Sequence, residues 1–155
     1  MPSFKALPTD IVAGWRVGQP DANGQLPERA ISDGNGNRCR HCLCLIPKDA
    51  PFLIVAHRPF ENLHAYAEVG PLFVCAAQCP RHQDDGTLPQ AMTTSRDYLI
   101  KGYSVDERII YGTGQIVAPR DMIPAARALF QRSDVAFIHV RSSRNNCYQV
   151  RIDRT

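Results

Sequence analysis

Asp121-Met122-Ile123-Pro124-Ala125-Ala126-Arg127-Ala128-Leu129-Phe130-Gln131-Arg132 runs through Ser133-Asp134 into Val135-Ala136-Phe137-Ile138-His139-Val140. Within twenty residues the pattern changes from helical to extended. Ile123, Ala126, Leu129 and Phe130 recur at helical spacing and give one buried face. Asp121 can cap the N-terminus, and Pro124 is tolerable only in the first turn. The spacing predicts one main helix over 121–132. The apolar run after it predicts a strand.

The other strong signals are strands. Phe52–His57 is β-branched and aromatic and bounded by prolines, and Pro71–Ala76 is similar. Tyr98–Tyr103 and Arg108–Tyr111 read as two arms around an Asp106-Glu107 tip, followed by Gln115–Val117. Cys147–Ile152 alternates as a half-buried final strand. Cys42–Ile46 reads as a further short strand. Val12, Trp15 and Val17, around Gly14, suggest a short edge strand or loop near the N-terminus. Residues 18–38 are loop-rich and end in the Asp33-Gly34-Asn35-Gly36-Asn37 turn. Strands dominate and one helix interrupts them late. The expected fold is α+β, a curved, mostly antiparallel sheet with the helix on one face, and a small partly closed barrel is the alternative.

The chain has 155 residues, one domain's worth over 1–155, and 44% of them are hydrophobic. That is enough to bury a core without metal or disulfides. The formal charge is +3, with the basic residues spread along the chain. A nucleic-acid binder concentrates them, so nucleic acid is not expected as a partner. No run approaches the ~18 apolar residues of a membrane span. No basic region precedes an apolar run at the N-terminus, so a cytoplasmic location with reduced cysteines is expected. No pattern fixes the oligomeric state. The sequence lacks a dinucleotide fingerprint, a Walker loop, a GxSxG elbow and an HExxH motif, so it assigns no reaction.

Chemistry concentrates in two places. Cys39-Arg40-His41-Cys42 with Cys44 sets three thiols, an imidazole and a guanidinium within six residues. Cys75, Cys79 and His82 follow after one strand-like segment. Cys39-x2-Cys42 has zinc-knuckle spacing, and Cys79-x2-His82 can supply the other half of a tetrahedral site. The same Cys-x-x-Cys is the spacing of a redox dithiol, with Arg40 and His41 able to lower a thiolate pKa. Against that, Leu43–Pro47 leaves room for barely one helical turn. A third reading is that the cysteines fill apolar space, as Cys44 and Cys75 do in their apolar runs. His139, on one strand face with Phe137 and Arg141, is a candidate base or anion ligand, and as an alternative a satisfied half-buried histidine. Arg40, Arg96, Arg141 and Arg151 are arginines able to hold a small anionic ligand.

Some residues carry a family resemblance. They are Cys39-Arg40, Leu43, Asp49-Ala50, Gly70-Pro71-Leu72-Phe73-Val74, Tyr98, Asp134 to Arg141, Cys147-Tyr148 and Arg151-Ile152-Asp153-Arg154. From about residue 36 to the end the chain resembles the bacterial family catalogued as domain of unknown function 1203. That resemblance carries no established activity. It implies a shared Cys39-Arg40 pair and late Cys147, with many members having serine at the position of Cys42 and lacking the cysteines that match Cys44 and Cys75. It therefore directs attention to Cys39, Arg40, His139 and Cys147 as one pocket. Three classes follow: a small-molecule or anion-binding domain near Cys39-Arg40, a structural zinc protein through Cys39, Cys42, Cys79 and His82, and a cysteine-dependent enzyme or thiol oxidoreductase using Cys39 with His139.

Overall fold

The computed structural model describes residues 1–155 as an α+β fold with two antiparallel sheets and two helices. In chain order the elements are β1 (Pro2–Lys5), α1 (Thr9–Arg16), β2 (Glu28–Ile31), β3 (Pro51–His57), β4 (Gly70–Cys75), β5 (Tyr98–Tyr103), β6 (Gln115–Val117), α2 (Pro119–Leu129), β7 (Phe137–Ser142) and β8 (Tyr148–Arg154). A 3₁₀ turn covers Gln90–Met92. One sheet has the order β1-β8-β7-β5-β6 and the other β2-β3-β4. Neither closes into a barrel. The two sheets meet where β4 lies against β8.

Strand alternation divides the larger sheet into two faces. Ile138 and Val140 of β7 stand beside Ile100 of β5 and Val150 and Ile152 of β8, and all are buried. α2 covers this face with Met122, Ala126 and Leu129, joined by Phe130. The helix begins at Pro119, with Ala118 as its cap, and not at Asp121, so Pro124 stands inside the helix and not in its first turn as expected. Proline is well suited to the first helical position because its missing N–H would have no partner there. The earlier start brings Met122 to full burial, and Ile123 only flanks the core.

The first thirty residues differ most from expectation. Thr9–Arg16 is a helix that buries Val12 and Trp15, and Pro2–Lys5 is an edge strand paired with Lys5↔Arg151 through Pro2↔Arg154 of β8. Glu28–Ile31, inside the loop-rich segment, pairs with β3. Residues 39–46 make no strand. They form a turn closed by the single bridge Arg38↔Leu45. The arm after Glu107 pairs only at Tyr103↔Ile109.

Candidate metal centre

The turn after Arg38 is tightly wound. The Cys39 amide donates to the Cys44 carbonyl at 3.0 Å, and the Leu43 amide donates to the Cys39 carbonyl at 2.9 Å. Leu43 closes the turn in the left-handed region, with φ 55. That conformation costs a side-chain-bearing residue about 1–2 kcal/mol. Burial of the leucine to 1% exposure offsets it. The Arg40 amide donates to the Phe73 carbonyl at 3.0 Å, which ties the turn to β4. Cys75 ends β4, and Cys79 follows a short turn later.

These connections bring Cys39, Cys42, Cys75 and Cys79 together. Their four Sγ atoms all lie within 4.8 Å of one another, and Cys39 and Cys79 are 3.9 Å apart. Cys39 is fully buried, and the other three are half-buried. Thiolates bound to one tetrahedral ion at ~2.3 Å stand about 3.8 Å from each other. The protein already holds the four sulfurs near that spacing.

The surroundings supply donors to sulfur. Cys39 Sγ accepts the amides of His41 at 3.4 Å and Cys75 at 3.3 Å. Cys79 Sγ accepts Arg16 Nη2 at 3.2 Å, and His41 Nδ1 lies 3.1 Å from it. The far side of that buried imidazole meets the Thr9 hydroxyl at 2.9 Å. Hydrogen bonds from the Cys42 and Cys75 thiols drive the Cys39 pKa far down, against the burial that would raise it. The same interaction drives Cys42 up strongly and Cys75 up to about 12. Burial and the Cys39 charge also raise Cys79, with Arg16 opposing them. Four thiolates together require a cation among them.

The residues singled out in the sequence separate into groups. Cys75 is the fourth member of the cluster, and His82 is not. The His82 amide donates to the His41 carbonyl, and its imidazole stands 3.8 Å from Asp85. Arg40 turns its guanidinium away from the thiols, donating to the carbonyls of Tyr148 and Arg38, both at 2.8 Å. Burial, and then Arg38, pull its pKa down to about 10. Arg40 and Cys147 line one cavity of about 180 Å³, and Arg141 and Cys147 line another of about 220 Å³. His139 lines neither and is fully buried. Cys44 is exposed and outside the cluster. Arg16 and Thr9 escaped the sequence reading because α1 did. Cys75 carried a usable signal in its Cys75-x3-Cys79 spacing.

The model for the family described as protein of unknown function (DUF1203) matches residues 36–154. No curated protein and no solved structure matches the chain. The match spans the cysteine turn, β3 to β8 and α2, and it leaves β1, α1 and β2 outside. The chain belongs to this family.

Proposed function

We propose that the protein is a metal-stabilised domain that holds one zinc ion through Cys39, Cys42, Cys75 and Cys79. The observation that carries this reading is the mutual approach of the four Sγ atoms to within 4.8 Å. Four protein sulfurs complete a tetrahedral shell and leave no position for a substrate, so the role is structural. A zinc ion with four thiolates carries two negative charges. Arg16, the two backbone amides on Cys39 and the His41 imidazole are placed to stabilise that charge. The site would reinforce the junction of three pieces already joined by hydrogen bonds: α1 through Arg16, the 39–46 turn, and the end of β4.

The competing reading as a cysteine-dependent enzyme has less support. Cys39 is fully buried, its sulfur faces three others, and neither Arg40 nor His139 reaches it. The test is elemental analysis of protein purified without a metal-affinity tag, beside a thiol count under native conditions. About one zinc per chain is expected, with the four cluster thiols protected and Cys44 reactive. Cys75→Ser should lose the metal and His82→Ala should keep it. A metal-free, fully folded protein would remove the reading. A red protein holding iron would keep the ligand set and change the ion, because four sulfurs also suit iron.

A further inference from the structure

The face of the larger sheet turned away from α2 is aromatic and cationic. Lys101, His139 and Arg151 stand abreast on β5, β7 and β8. Leu99, Arg141 and Tyr148 form another row, set by a bulge between Val140 and Arg141. Bulges re-aim the side chains beside them. The connection between β3 and β4 covers this face with Phe60 and brings Glu68 to its edge.

His139 is enclosed by Phe60, Tyr103, Phe137 and Tyr148, with ring centroids 4.7 to 5.2 Å away. Its Nδ1 lies 3.4 Å from Arg141 Nη2, and its Nε2 has no partner. Arg141 is 4% exposed, and its Nε also has none. Its Nη1 donates to the Asn146 carbonyl at 3.2 Å and makes only a long contact, 3.5 Å, with Glu68 Oε2. The buried Tyr103 hydroxyl is unpartnered too. A buried donor left without an acceptor loses its hydration and gains nothing in return, and a charged one loses more. Nearby Glu107 shows the opposite case. This buried carboxylate accepts the amides of Glu61 at 2.7 Å and Asn62 at 2.9 Å, and the Asn62 side chain at 3.0 Å. The fold satisfies this buried anion, and it satisfies the buried Arg40 guanidinium with two carbonyls at 2.8 Å, but it leaves Arg141 Nε without an acceptor.

Arg141 borders the cavity of about 220 Å³, whose walls include His57, Pro59, Glu68, Asn146 and Tyr148. Glu68 is 40% exposed and stands 3.5 Å from Arg141 and 3.9 Å from Lys101. It is a weakly held internal carboxylate on two cations.

We propose that this cavity binds a small organic carboxylate, which displaces Glu68 from Arg141 and lays its apolar body against Tyr148, Pro59 and His57. A guanidinium matches a carboxylate through two parallel hydrogen bonds. The cavity is below the ~300 Å³ of ordinary ligand pockets, so the ligand has about one small ring or short chain. The site uses none of the four clustered cysteines and stands independently of the zinc reading.

The test titrates the full-length, metal-replete protein with benzoate and follows the Arg141 Nε–H resonance by NMR, assigned through Arg141→Lys. A saturable shift with Kd below ~1 mM is expected. Glu68→Gln, at a half-exposed position, should bind several-fold more tightly because its competing carboxylate is gone. Lys101→Met should bind several-fold more weakly. Absence of a saturable shift in both the native protein and Glu68→Gln overturns the proposal. Saturation by inorganic phosphate without saturation by benzoate overturns the organic-carboxylate assignment.

Discussion

The two sheets enclose cores of different kinds. Between the five-stranded sheet and α2 lie seventeen buried apolar residues, including Phe4, Met92, Tyr98, Ile100, Met122, Ile138 and Ile152. Around the three-stranded sheet and α1 there are ten, and Cys39 is one of them. The first core can stand on burial alone. The second is the size at which small folds recruit a metal or a disulfide. The cysteine cluster sits in that second, smaller core. Leu43 links the two: it is buried in the larger core, while Cys39, four residues earlier, belongs to the smaller.

The largest expected effect breaks this comparison directly. Removal of metal with a strong chelator, or Cys39→Ser, should unlock the smaller core first. Amide exchange should accelerate in α1 and β2–β4 by orders of magnitude, while β5, β7 and β8 keep their protection. Structural zinc contributes about 10–16 kcal/mol in peptides that cannot fold without it. Here the effect should be smaller, because the larger sheet persists. Uniform acceleration across both sheets would show that the cores do not differ in this way.

Ile138→Ala is the complementary break. Ile138 is fully buried on the core face of β7. Its truncation should cost about 2–5 kcal/mol in denaturant unfolding. Metal content should not change. Loss of zinc from this variant would mean that the cysteine site depends on the larger core, contrary to the division drawn above.

Acid should act on both regions to a lesser extent. His57 is pulled down to about 4 by burial, with Arg58 adding to it, and His139 is pulled well below its ordinary value by burial and then Arg141. Each folded-state pKa lies below the unfolded value of about 6.5. The unfolded chain therefore binds more protons as pH falls below that value. Stability should be full above pH 6.5 and decline toward pH 4. Thiolate protonation and zinc release occur in the same direction, so His57→Gln separates the terms. It should flatten the stability slope between about pH 6.5 and 5 without moving the pH of zinc release. An unchanged slope would mean that His57 takes up its proton without cost.

What was legible in the sequence followed from signal strength. β3, β5 and β6 could be read because apolar and β-branched residues fill them between clear turns. α1 could not: it has eight residues, a glycine in its C-terminal half and no side-chain cap, and its stability comes from burying Val12 and Trp15. β1 is four residues long and is specified by its pairing with β8, far away in sequence. The cysteine cluster was half legible. Cys39 and Cys42 share a local turn whose spacing shows in one dimension. Cys75 looked like apolar filler after Leu72-Phe73-Val74, and His82 looked like the better ligand for Cys79. Strand alternation sets Cys75 apart from the fully buried Val74, and only the fold shows that the cysteine turn runs along that strand's end. The convergence of Arg141, Tyr103 and Glu68 depends on strand register and on a bulge, and no local pattern announces either.

The smallest expected effect sharpens the boundary of the cluster. Cys44 is two residues from Cys42 and belongs to the same dense run of thiols, yet its side chain is exposed and its Sγ donates to the Cys42 carbonyl at 3.5 Å. Its backbone carbonyl accepts the Cys39 amide, and a serine retains that bond. Cys44→Ser should therefore shift unfolding by no more than about 0.5 kcal/mol and keep the full metal content. Cys42→Ser, at a neighbouring position with the same chemistry, should lose the ion. Direct comparison of the two variants by elemental analysis separates a geometric site from a general affinity of a cysteine-rich turn for zinc. Equal losses would point to the latter. A loss confined to Cys42→Ser would show that the fold, which turns one thiol inward and the other out, selects the ligands.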